Sequence, residues 1–258
     1  MKLPWFHNRR QEILERPFPD EWRRLLDRRV AHTLLLTPDE RHRLEGDLSV
    51  FAEEKLWEAV GGLEMTDEVK VLVSAQACLL TLGMPEHDDF PNVESIIVYP
   101  SSYRAPAQGA LLGGVMEHTA QARAGEASSN GPVIVSWEDV SYGAKNDTDG
   151  RNVVLHEFAH KLDFRTGSAD GVPRLKTQDQ YDRWAEVMSV EYANLVESAK
   201  HGRHSLLSTY GATNPAEFFA VATEAFFEKS VHMKHEHPDL YEVLLAFYGI
   251  DWAERVHP

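Results

Sequence analysis

Residues 152–163 read Asn-Val-Val-Leu-His-Glu-Phe-Ala-His-Lys-Leu-Asp. Val154, Phe158 and Leu162 recur at i, i+4 and i+8, and Leu155 and Ala159 widen the apolar stripe, so the segment predicts a helix with most of its surface turned inward. Such a helix needs covering on nearly every side. It also carries His156, Glu157 and His160 towards that interior, where an unpartnered polar group costs about 2–7 kcal/mol. The fold therefore has to supply partners for them. At about 3.6 residues per turn, His156 and His160 lie one above the other, so that both imidazoles reach one ion about 2.0–2.1 Å from each nitrogen, with Glu157 beside it. This H-E-x-x-H pattern predicts a divalent metal, zinc among the candidates, with Glu157 placed to take a proton from water during hydrolysis.

A catalytic ion of this kind needs a third protein ligand and an open fourth position. The carboxylates to weigh downstream are Asp163, Glu186, Glu191, Glu217 and Glu224. Asp163 follows His160 on the same helix, where a hydrogen bond that ends the helix suits it better than coordination. Glu217 is the better candidate: it lies in Asn214-Pro215-Ala216-Glu217-Phe218-Phe219, where Asn caps, Pro begins the helix and apolar residues bury most of the circumference. A capping-box role at the third helical position is the alternative for this residue. Glu224 lies two turns on along nearly the same face and is the reserve ligand.

Along the chain of 258 residues no repeat or linker stands out, and one domain is expected. Its first part, to about residue 90, reads as helices over Asp20–Val30, Thr37 to about Val60, and Thr66–Leu80 with an end at Gly83. Between Asn92 and Val140, β-branched runs at Ser95–Tyr99, part of Gly109–Ala122 and Val133–Trp137 predict a small mixed β-sheet. Helices return over Asp149–Asp163, Asp179–His201, Asn214–Glu228 and Asp239–Tyr248, which gives an α+β fold dominated by helices.

Composition narrows the function classes. Asp and Glu number 41 against 26 Lys and Arg, a formal net charge of −15, which disfavours direct nucleic-acid binding because phosphate contacts need clustered cations. No apolar run reaches the roughly 18–20 residues of a membrane span, and the first residues do not read as a secretory leader, so a cytoplasmic protein is expected. The single cysteine, Cys78, sits in an apolar run and reads as core. So do Phe218, Phe219, Phe226 and Phe227. His201-Gly202-Arg203-His204 and the cluster from His232 to His237 lie in polar, turn-rich regions and read as solvated histidines. The acidic stretches Glu86–Asp89 and Asp147–Asp149 read as a solvated loop and as helix capping.

Taken together, residues 149–163, Asp170-Gly171-Val172-Pro173, Tyr210–Val221 with its Tyr-x6-Glu-Phe-Phe element, and Gly131–Trp137 make a more specific signature than H-E-x-x-H alone. The chain resembles the Mlc titration factor A family, bacterial zincin-like zinc metallopeptidases related to the catalytic core of anthrax lethal factor. The resemblance implies a zincin-like fold, zinc held by His156, His160 and Glu217, Glu157 as general base, and Tyr210 as a hydrogen-bond donor to the transition state. A tyrosine that only packs beneath the loop is the alternative for Tyr210. It also implies peptide substrates laid along an edge strand, for which Val133–Trp137 is the candidate, aminopeptidase-type activity, and a protein partner, the glucose-responsive repressor Mlc. A regulatory binding module with a structural zinc is the rival reading.

Overall fold

The computed structural model describes residues 4–85, 90–101 and 131–255. Ten α-helices and three strands are described there: α1 Pro4–Leu14, α2 Asp20–Arg29, α3 Pro38–Glu54, β1 Leu56–Ala59, α4 Asp67–Thr81, β2 Ser95–Tyr99 and β3 Val133–Ser136, followed by six further helices. These are α5 Trp137–Lys145, α6 Val153–Asp163, α7 Gln178–Lys200, α8 Pro215–Glu228, α9 Ser230–Glu236 and α10 Pro238–Tyr248. The mainly helical α+β character expected from the sequence is present. Among the described residues, no helix is long and apolar enough to cross a membrane.

The sheet differs from expectation. Its described strands run in the order β1-β2-β3, and both pairings are parallel rather than mixed. The segment Leu56–Ala59, expected as the tail of a helix reaching Val60, is instead a strand that pairs Leu56 with Ser95 and Ala59 with Val98. Parallel neighbours need a crossover, and α4 supplies it between β1 and β2. The expected strand within Gly109–Ala122 and the acidic loop Glu86–Asp89 lie outside the described residues. The run ending at Trp137 is also shorter than expected, because Ser136 accepts a hydrogen bond from the Asp139 amide and starts α5. In the order described, β3 lies at one side of the sheet.

Local chemistry explains most helix starts. Thr37, Pro38 and Glu40 form a full capping box at α3, and Thr66 and Thr177 cap α4 and α7. α2 carries Asp20 and Glu21 in its first turn and Arg28 and Arg29 in its last, matching its dipole. The core gathers around α4, α6 and α8, with every residue of α8 from Ala216 to Glu228 buried. Aromatic residues tie parts of it together: Phe158 of α6 meets Phe51 and Phe90 edge to face, while Phe226 and Phe227 of α8 meet Tyr248 of α10. The four phenylalanines of α8 and Cys78 are core residues, as the sequence indicated. α6 packs against α8, α4 and β3, so the histidine-bearing helix is enclosed on three sides.

Candidate metal centre

Asn152 starts α6. Its side-chain oxygen accepts from the Val154 and Leu155 amides, so the helix begins at Val153, four residues later than expected, and Asp149 instead accepts from the Arg151 amide and the Tyr142 hydroxyl. The helical repeat then brings His156 and His160 to one face, with ring centroids 4.9 Å apart. Asn214 caps α8 in the same manner by accepting from the Glu217 amide, and this fixes the first turn of α8 opposite the two rings. Glu217 Oε2 lies 3.1 Å from His156 Nε2 and 3.3 Å from His160 Nε2, and the two Nε2 atoms are 3.2 Å apart.

Three ligand atoms thus converge in a near-equilateral triangle. A carboxylate can only accept, so the 2.7 Å contact of His156 Nδ1 with Glu224 Oε1 places the hydrogen on Nδ1 and leaves Nε2 to face the triangle. Such a set is stable only with positive charge at its centre, as ring protons or as a cation. The charge states agree: burial opposes protonation of His156, but hydrogen bonds to Glu217 and Glu224 outweigh it and hold its pKa well above the ordinary imidazole value. Burial likewise opposes ionisation of Glu217, yet the two imidazoles keep it well below the usual carboxylate range. For a tetrahedral ion with bonds near 2.0 Å the ligand atoms stand about 3.3 Å apart. The observed triangle fits a small divalent metal. Among the described residues, His156, His160 and Glu217 are the group of this kind that could hold one.

The family comparison builds on that geometry. Residues 5–249 match the family described as glucose-regulated metallo-peptidase M90. The chain belongs to that family. The chain is 35% identical to an uncharacterized protein of Synechocystis, over 96% of this chain and 90% of the relative. It is 30% identical to Mlc titration factor A of Klebsiella pneumoniae, over 88% of this chain and 84% of the relative, and 30% identical to the Salmonella gallinarum protein of the same name, over 99% and 94%. Membership of the M90 family makes the protein a metallopeptidase, a hydrolase that uses a metal.

The other carboxylates considered from the sequence are engaged elsewhere. Asp163 accepts from the Gly171 and Val172 amides, and burial pushes its pKa up to about 6 despite those bonds. Glu186 pairs with Arg183, and Glu191 with His237. Glu224 backs His156 from behind rather than joining the triangle. Glu157 is half-buried beside the histidines, and the ring of Tyr210 lies 6.0 Å from that of His156. Sequence reasoning missed the support around Asn152, whose side-chain amide donates to Gln76 of α4 and to Glu228 of α8. Burial pushes Glu228 up to about 8, against its bonds from Asn152 and the Arg151 amide. The spacing of Glu217, Glu224 and Glu228, at i, i+7 and i+11, was the available signal: all three fall within about 20° of one line along a helix.

Proposed function

We propose that the protein is a zinc-dependent peptidase in which His156, His160 and Glu217 hold the ion. The observation that carries this reading is the convergence of two Nε2 atoms and one carboxylate oxygen, 3.1–3.3 Å apart, beside Glu157. Zinc bound there supplies Lewis acidity, polarising a carbonyl and lowering the pKa of water towards about 7. Glu157, one residue from His156 on the same helix, takes the proton of the attacking water and delivers it to the leaving amine. Tyr210, whose ring lies 6.0 Å from that of His156, donates a hydrogen bond from its hydroxyl to the carbonyl oxygen as negative charge grows there.

Short peptides cleaved from the amino end are the substrates we assign, in a zincin-like cleft with the substrate backbone along β3. A second reading is favoured by the name of the relatives, Mlc titration factor A. On that reading the protein also binds the repressor Mlc, and binding and hydrolysis are compatible in one molecule. Elemental analysis of the purified protein and of the Glu157→Gln variant, with a panel of fluorogenic amino-acid amides and peptides, tests the enzyme reading. Near-stoichiometric zinc in both and hydrolysis in the first alone are expected. Undiminished hydrolysis by Glu157→Gln would reject Glu157 as the base, and absence of metal from both proteins would reject the site.

A further inference from the structure

Glu217 faces the ion site, but the same stripe of α8 carries two more buried carboxylates towards the start of α6. Glu224 uses both of its oxygens there. Oε1 accepts from His156 Nδ1 at 2.7 Å, and Oε2 accepts from the backbone amide of Asn152, the cap of α6, at 2.6 Å. One carboxylate therefore joins the origin of the helix to the imidazole one turn further along. Glu228 continues the stripe by accepting from the Arg151 amide at 2.9 Å and from Asn152 Nδ2 at 3.1 Å. The first backbone amides of a helix point outward without partners inside it and carry its positive end, so acidic acceptors are favoured at this place.

We infer that Glu224 is a positioning residue for the metal reaction: it locks His156 in the Nδ1–H tautomer and aims Nε2 at Glu217 and His160. The inference rests on the proposed zinc site and deepens it. Without Glu224 the imidazole could carry its hydrogen on either nitrogen and could turn about its side-chain bonds, and the ligand triangle would be formed for only part of the time. The adjacent carboxylate also raises the basicity of Nε2, which strengthens its bond to a cation. Glu228 has a different task, because its contacts end at residues 151 and 152 and do not touch the ring.

The test uses the full-length protein and the variants Glu224→Gln and Glu224→Ala. Zinc affinity is read by competition with a chromophoric chelator, and the His156 ring by nitrogen-15 NMR of labelled histidine. The glutamine keeps the shape of the side chain but loses its charge and one of its two acceptors, so its thermal melting in chelator is expected to fall, though less than that of Glu224→Ala. Zinc affinity should fall about tenfold in Glu224→Gln and about a hundredfold in Glu224→Ala. In parallel, the downfield Nδ1–H signal of His156 should shift in the first and disappear in the second. Wild-type zinc affinity in both variants, or an unchanged Nδ1–H signal in Glu224→Ala, overturns the positioning role and leaves the zinc site standing. A wild-type protein that takes up no zinc overturns the site itself, and with it this inference.

Discussion

Gly171 offers a way to disturb the centre without touching any residue in it. It has φ +78°, and a Cβ added there would stand 2.5 Å from the carbonyl oxygen of Pro215, the first residue of α8. Ordinary contact begins near 3.4 Å, so the loop and the first turn of α8 would have to separate by roughly 0.9 Å. Left-handed backbone costs a residue with a β-carbon about 1–2 kcal/mol, and overpacking against backbone adds about 1–3 kcal/mol. Gly171→Ala should therefore destabilise the protein by about 2–5 kcal/mol, read by urea denaturation in chelator. Glu217 is two residues beyond Pro215, and a ligand site tolerates only about 0.2 Å of misplacement, so zinc affinity should also fall at least tenfold. Gly167→Ala is the matched control. It has φ +98° but open space around the added atom, and it should cost only the backbone contribution while zinc affinity is retained. If Gly171→Ala matches Gly167→Ala in both measurements, the loop does not set the position of α8 and the reasoning is refuted.

Two further predictions rest on other contacts. Tyr210→Phe should lower turnover about ten- to a thousandfold while zinc content stays the same, and unchanged turnover on a cleaved peptide would remove Tyr210 from the mechanism. The hydrogen-bonded pair with Arg255 holds the Glu40 carboxyl down to about 2, so its contribution to stability is complete above about pH 4.5 and is lost as the pH falls towards 2. That depression corresponds to about 3 kcal/mol at most, and solvent screening of a partly exposed pair reduces it to about 1–2 kcal/mol. Urea denaturation of wild type and Arg255→Met across pH 2–6 should show the two curves converging at the acid end. Parallel curves would contradict the assignment.

Much of this architecture was legible because its determinants are local. The apolar repeat Val154, Phe158, Leu162 announces a buried helix, and the Thr37, Pro38, Glu40 pattern marks the start of α3. Glu217 could be singled out from Asn214, Pro215 and the phenylalanines around it. What was missed depends on distant partners. Leu56–Ala59 is a strand only because β2 lies alongside it, and four residues following a helix give no period from which to read this. Trp137 could be read as the end of a strand until the Ser136 hydroxyl was seen to cap a helix that begins there. Asp149 looked like the cap of α6 by residue type, but Asn152 takes that place because Gln76 and Glu228, far away in sequence, hold its amide. Glu224 passed for a spare ligand because spacing along a helix gives direction and not depth: it reaches the far side of the ring that Glu217 meets from the front.

Because α8 is surrounded by core from Ala216 to Glu228, its acidic groups are held by the same packing that sustains the protein as a whole. An engineer seeking to change the ion would have to redesign the interior. An engineer seeking to change what is cut could leave the interior alone and work on the more exposed residues around His160 and Tyr210.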